Sequence, residues 1–482
     1  VNDSVQAWNW LLLAICMTTT LGSTVPVGYF FGVLNAPAEI IKSWCDNILF
    51  SEYDTNSSWS QIDLLWTFIV SIYLIGGIIG GIIGSLCAAG LNTKFGRLGV
   101  LRITDVFYAV CFILTALCRF KVDSVEMLAV ARLFGGMAAA IVYATHPMYL
   151  VEIAPPELSG SVGVFTGIGL TFGIVVGQLF SFDFLLGTEE HWHWALSAFI
   201  IFVMLGTIVT CIIPESPRFL VGRGRLEAAK TALKNLRGSD QNVDKELAAM
   251  VADAGATDST LGMKDVICNG KLRLVIILVV SFHFVQQGSG ISAIWYYSVG
   301  TFTDAGFSTS IALWLNFALG VLNFLGAFAG VIFMDKCNRR TLLIISCILS
   351  SFFMLLLSFA LYLTDNYQWV SYISIAFLAL YIIAFNVALG TMPYFIGSEL
   401  LVISSRAAVM ALGSLSNWVS NFVISLVFPI LSDIIGPFAF LLFAIICVYG
   451  FLVTYRYLPE TKNRKPEEVA PLMENGLKSK VK

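Results

Sequence analysis

Charge is scarce in this chain. Only 12% of its 482 residues are Asp, Glu, Lys or Arg, while 57% are hydrophobic. A soluble domain is about 25% charged, so a water-soluble enzyme of this length is excluded: it could not cover its surface. A basic excess is also missing. Against 31 Asp+Glu stand 28 Lys+Arg, a net charge of -3, which excludes nucleic acid as a partner. Histidine is rarer still, at 4 residues. No Cys/His cluster has metal-ligand spacing and no nucleophile or cofactor constellation stands out, so no metal, cofactor or catalytic machinery is expected. The 10 cysteines lie mostly inside apolar runs or in segments assigned to the inner side. They read as small buried apolar residues, not as a disulfide framework.

Long apolar runs are what the chain has instead. A membrane-crossing helix needs about 20 apolar residues, and twelve runs qualify, roughly 9–33, 64–91, 100–119, 126–150, 161–186, 194–213, 272–301, 310–334, 341–363, 369–397, 407–431 and 437–457. Barrel strands would alternate apolar and polar residues; these runs are continuous, so helices are expected. Of the 28 bases, 24 fall in 92–102, 214–273, 335–340, 455–482 and at Arg406. The positive-inside rule therefore places both termini in the cytoplasm of a multi-pass protein. The first run lacks the basic front end and small-residue cleavage site of a signal peptide. Asn56-Ser57-Ser58 is a glycosylation sequon in the longest outer loop. Asp105 and Asp183 are placed toward span ends, leaving no acid near the midplane.

The soluble-looking stretch 214–270 carries Leu226, Ala229, Leu233 and Leu236 at helical spacing, then Leu247, Met250, Val251 and Ala254. It is expected to be a helical bridge on the inner surface. The order is thus a six-helix half (1–213), linker helices (214–270), a second half (271–457) and a tail (458–482).

The two halves repeat. Arg97 and Arg339, Glu152 and Glu399, and Glu215 and Glu460 stand 242, 247 and 245 residues apart. Six spans per copy make the repeats parallel, an architecture that rocks about a central site. Ionised groups at the bilayer centre cost at least about 2.5–3.5 kcal/mol each. Here Arg97, Glu152, Glu215, Arg218, Asp335, Arg339, Arg340, Glu399, Arg406 and Glu460 gather at cytoplasmic helix ends. Such acids and bases can pair when the inner side closes and separate when it opens, which makes them the candidate gate.

Gly28-Tyr29 with Gly32 to Pro37, Pro147-Met148-Tyr149 with Glu152, both Pro-Glu motifs and Asp335 to Arg340 form one ordered series. Glu399 with Arg406, Gln286-Gln287 with Ser289-Gly290-Ile291, and Ser416-Asn417-Trp418 complete it. In these residues the chain resembles the sugar porter family of the major facilitator superfamily, particularly its animal facilitative glucose transporters. The resemblance implies an all-α membrane protein of twelve transmembrane helices in two parallel six-helix repeats. It also implies a central sugar site lined by helices seven, eight, ten and eleven, with Gln286, Gln287, Asn323 and Asn417 at matching positions. Amides suit a neutral polyol because each offers donors and acceptors, and Phe385, Tyr394 and Trp418 can cover the C–H face of a sugar.

Departures from the pattern fall at the site. The family's fifth-helix Gln is Gly167; its Gln-Leu-Ser before the Gln pair is His283-Phe284-Val285; its next Asn is Ser292. The tenth-helix Glu and Trp are Asn386 and Tyr394. His283, Ser292, Asn386 and Tyr394 thus join the candidate site, His283 as a compensating donor. At the gate, Leu98 and Ser159 replace bases that the second half retains as Arg340 and Arg406. This predicts a weaker clamp in the first half, with Glu152→Gln less harmful than Glu399→Gln. Phe30 stands where proton-coupled relatives carry an Asp.

The expectation is a plasma-membrane uniporter for a hexose, glucose first, by alternating access. The partners are a small neutral sugar and the lipid bilayer, with oligomeric state unassigned. The alternatives are a transporter of another neutral sugar or polyol, or a non-transporting sugar-sensing receptor, for which 458–482 is a short signalling tail.

Overall fold

The computed structural model describes residues 9–53, 59–119, 124–155, 158–237, 243–256, 263–364, 366–401, 403–462, 464 and 466–479. Asn56 lies outside the described residues. Those described are helical, with no strand among them.

Spans one to six are Trp10–Gly32, Gln61–Gly84, Lys94–Leu117, Val125–Ile153, Val162–Phe180 and Trp192–Ile212. Seven to ten are Arg273–Asp304, Thr309–Gly330, Arg339–Leu363 and Val370–Leu400. An eleventh apolar stretch, Ser405–Tyr457, holds two helices, Ile403–Ile435 and Ala439–Tyr457, joined by a 3-10 turn at Gly436–Phe438. The expected twelve spans are therefore present. Their apolar outer faces leave Val106, Ile208, Phe352 and Leu452 exposed, as a lipid solvent allows.

Spans one to six build one buried core, with Leu12, Tyr73, Tyr149 and Phe199; seven to twelve build another, with Leu278, Met354, Tyr381 and Phe443. Few side chains trespass. Ile174 packs into the second core, and Tyr296 and Trp418 into the first.

Spans two and three form one helix, Trp59–Leu117, broken at Gly96 with φ 82° and ψ 175°. Only glycine adopts that conformation readily, and a Cβ there would also strike the Glu215 carboxylate. Span seven is interrupted by a π-turn at Gln287–Ile291, where Gly290 has φ 97°. Span ten stops at Val387 and restarts at Met392, with Pro393 in the first turn. Ala388–Thr391 close this break as a turn, Gly390 N–H donating to Phe385 O at 2.9 Å.

Four short helices fill the bridge: Pro217–Gly222, Leu226–Arg237, Val243–Ala256 and Met263–Cys268. Ala229, Leu233 and Leu236 are buried as expected, but Leu226 and Val251 are exposed. Arg237 fastens the bridge to the first half, donating to both Glu246 oxygens at 2.6 and 3.0 Å and to Ile153 O at 2.8 Å. Val266 is buried in the second core.

One sequence expectation needs correction. The loop after span one contains a helix, Ala38–Tyr53, seated through Ile41, Cys45 and Ile48; that i, i+4, i+7 spacing was its signal. The tail is seated on the second half, with Val469 and Met473 fully buried in its core and Lys271 paired with Glu474 at 3.3 Å. Asp105 lies on span three, past the Gly96 break. It accepts from Thr207 of span six at 2.7 Å.

Candidate sugar site and its two closures

The broken seventh helix brings its polar residues against span eleven. The Asn417 amide donates to Gln286 Oε1 at 2.7 Å, and Gln287 donates to Asn417 Oδ1 at 3.2 Å. Gln286 donates onward to Gly390 O at 2.8 Å, and Ser292 donates to Gln287 Oε1 at 2.6 Å. The network therefore ties both helix breaks to span eleven. Its members Gln286, Gln287, Ser292 and Asn417 are all buried.

His283 adjoins this network through Asn417. Its ring lies against Gly413, its Nδ1 is 3.4 Å from the Asn417 amide, and the Tyr394 ring meets it edge-on at 5.4 Å. It backs Asn417. Asn323 and Asn386 form a separate pair, Asn386 donating to Asn323 Oδ1 at 2.9 Å and to Ile382 O. Phe385 tilts on Tyr381, while Trp418 packs across Gly77 of span two. Tyr394 stacks on Tyr143 of span four at 5.8 Å, one of the aromatic contacts that join the halves.

At the basic end, each half carries the same knot. In the first, Arg97 grips Glu152 with two bonds, Nε to Oε2 at 2.9 Å and Nη2 to Oε1 at 2.7 Å, and Ser216 donates to the same carboxylate. Glu215 accepts the N–H groups of Arg97 and Leu98 at 3.1 Å, capping span three. In the second, Arg339 Nε meets Glu399 at 3.4 Å and Thr461 donates to Glu399. Glu460 accepts the N–H groups of Arg339 and Arg340 at 2.9 and 3.2 Å, capping span nine. Glu215 and Glu460 are thus N-terminal caps, favoured by the helix dipole. Arg340 donates to Tyr455 O at 2.7 Å and Arg406 to Leu401 O at 3.1 Å, both holding backbone. Arg218 is exposed on Pro217–Gly222; the side chain of Asp335 lies outside the described residues. Against its glutamate, the first guanidinium makes two short bonds, whereas Arg339 Nε stands 3.4 Å from Glu399.

The opposite end is closed by neutral groups that sequence reasoning did not assemble. Asn35 of the turn after span one donates to Trp295 O at 3.1 Å and to Ser298 Oγ at 2.8 Å. Ser298 donates to Asn316 Oδ1 at 2.8 Å, and Gln178 of span five donates to the same oxygen at 3.0 Å. All four residues are buried. The only sequence signal is a solitary amide or hydroxyl inside an apolar run. Arg132, also within a span, is buried by donating to Ile69 O at 2.8 Å, with its guanidinium 5.2 Å over the Tyr73 ring.

Two six-span groups, each with its own core, amides gathered at two helix breaks and a charge knot at one end of each group define a transporter of the major facilitator fold. The proton:xylose symporter XylE bound to 6-bromo-6-deoxy-D-glucose matches with a TM-score of 0.77, covering 96% of this chain and 99% of that one at 24% identity. The inward-open xylose transporter XylE from E. coli also gives 0.77, over 96% and 100%, at 22% identity. Residues 15–473 match the family model described as Sugar (and other) transporter, and the chain belongs to that family. It is similar to the sheep Solute carrier family 2, facilitated glucose transporter member 3, at 32% identity over 97% of this chain and 94% of the relative. The human member 3 is 32% identical over 96% and 92%; the mouse member 2 is 29% identical over 95% and 93%.

Proposed function

We propose that this protein carries a neutral hexose, with glucose the first substrate to test, down its gradient by alternating access. The observation that carries the reading is the buried Gln286–Asn417–Gln287–Ser292 network. An uncharged donor–acceptor array at two helix breaks can exchange its internal bonds for sugar hydroxyls without stranding a charge. The neutral seam at Asn35, Ser298, Asn316 and Gln178 then opens to one side and the knotted end to the other. Asn323 and Asn386 contribute from spans eight and ten, and the four knot residues Arg97, Glu152, Arg339 and Glu399 hold the moving helix ends.

Uniport is favoured because spans one, five, seven, eight, ten and eleven contain no acid in their interiors. Asp105, on span three, accepts a hydrogen bond from Thr207 of span six. The basic end is assigned to the cytoplasm with both termini, the membrane to the cell surface, and a glycan to Asn56. Purified protein in proteoliposomes should equilibrate labelled glucose without accumulating it, with or without an imposed proton gradient. Uphill accumulation would overturn uniport, with Asp105→Asn testing that carboxylate. Absence of flux for every neutral sugar and polyol tried would favour the sensing receptor.

A further inference from the structure

The two walls facing each other between the halves differ in chemistry. The second half presents amides that satisfy one another. The first half at the level of span five presents an opening. Gln178, Ile174, Thr171 and Gly167 recur at spacings of three and four, so they share a helix face. Gln178 bonds to Asn316 and Ile174 packs in the second core, so that face looks across to the other half. Span five holds other glycines, but Gly169, Gly173 and Gly177 are closed by the first span, whose atoms would meet an added Cβ. At Gly167 an added Cβ would meet nothing within 4 Å.

Next to this opening lies unused hydrogen-bonding capacity. Thr166 is 3.2 Å from His146 Nδ1 of span four, and the Nε2 of that fully buried ring has no partner. A buried imidazole nitrogen left unpaired costs free energy that a ligand can recover. Neutral imidazole accepts or donates according to tautomer. Charge selects further. Span five carries no ionisable residue, and span four no Asp, Glu, Lys or Arg between Arg132 and Glu152. An ammonium, carboxylate or phosphate arriving here would be unpaired in a low-dielectric setting.

Resting on the sugar-transport reading, we propose that Gly167, Thr166 and His146 form a subsite for an uncharged N-acyl substituent, so that the protein carries N-acetylhexosamines as well as hexoses. The acetamido methyl fills the room beside Gly167. The amide supplies the hydrogen bond that the Thr166–His146 pair can still make, after a small swing of the ring, while the pyranose hydroxyls engage the amides opposite. A plain hexose leaves the opening unfilled.

Counterflow of labelled N-acetylglucosamine and glucose, measured side by side in proteoliposomes, tests this. Wild-type protein should carry both. Gly167→Gln should lower the ratio of N-acetylglucosamine to glucose flux by at least about tenfold. Gly167→Ala, which fits the open space and preserves folding, should lower it less, and His146→Val by a few fold. Glucose flux without N-acetylglucosamine flux in the wild type overturns the subsite and leaves the hexose reading standing. Variants that depress both fluxes in parallel also overturn it. Wild-type protein that carries neither sugar overturns the transport reading itself.

Discussion

The two charge knots have one wiring diagram and different strengths. Each couples an arginine at the start of a span to a glutamate at the end of another, with a hydroxyl supporting the glutamate and a second acid capping the helix that bears the arginine. In the first half the guanidinium binds both carboxylate oxygens at 2.7 and 2.9 Å; in the second it reaches one at 3.4 Å. The first pair is also less exposed, at 15% and 11% of the side chains against 18% and 25%. The second half has more arginines, but Arg340 and Arg406 donate to the carbonyls of Tyr455 and Leu401. Contact geometry and base counting therefore rank the two clamps in opposite orders. Bidentate geometry in a half-dry site strengthens a charge-assisted pair.

The largest effect should come from breaking the tighter pair. Glu152→Gln removes a charge-assisted bidentate contact and should cost about 2–3 kcal/mol of first-half stability. Glucose flux should fall about tenfold at matched surface expression. Glu399→Gln should cost about 1 kcal/mol and lower flux two- to threefold, on the order of what that energy allows. Flux and melting temperature measured together on both variants check the ranking. A larger loss with Glu399→Gln would restore the ranking that base counting predicts.

The capping acids should make the halves look alike. Glu215 and Glu460 each accept backbone N–H groups from adjacent residues at about the same distances. Glu215→Gln and Glu460→Gln should therefore each cost about 1 kcal/mol. Hydrogen exchange at the first turns of spans three and nine would rise equally in the two variants. Unequal exchange would show that the caps share the asymmetry of the arginine pairs.

Much of this was legible because it is periodic or repeated. Twelve apolar runs needed only the length scale of a bilayer. The knots surfaced because Arg97, Glu152 and Glu215 recur as Arg339, Glu399 and Glu460. Gln286, Gln287 and Asn417 were legible as amides out of place in apolar helices. Pairings across the fold were hidden. Nothing in the sequence says that Asn386 faces Asn323, or that His283 lies against Gly413 and Asn417. The seam of Asn35, Ser298, Asn316 and Gln178 is drawn from four segments with no common spacing.

That seam offers the contrast to the knots, closing one end of the molecule without any charge. Each of its bonds is neutral and worth about 1 kcal/mol net, so Asn316→Ala should bias the protein toward the state open at that end without unfolding it. Its measurable consequence is faster labelling of a cysteine at Ser298 by an impermeant thiol reagent. A Gln178→Ala, Asn316→Ala double-mutant cycle should give a coupling of about 0.5–1 kcal/mol. A coupling near zero would mean that the two amides close the end independently.

The smallest effect is expected at an ion pair that belongs to neither knot. Lys42 of Ala38–Tyr53 lies 2.9 Å from both Glu39 and Asp63. Burial lowers the pKa of its ammonium, but the hydrogen bonds to Asp63 and Glu39 outweigh this and the net shift is upward. A lysine whose folded pKa is raised stabilises the fold fully below its unfolded value and loses that contribution as pH rises through the folded one. Across neutral pH it stays charged in both states. Lys42→Met should therefore lower stability by about 0.5 kcal/mol, with the same difference at pH 6 and pH 9 and a smaller one above about 10.5. Melting curves of the two proteins over that range measure it. A difference that changes between pH 6 and pH 8 would place another titrating group at this helix. A loss as large as that of Glu152→Gln would mean that exposed single pairs matter as much as the buried bidentate one.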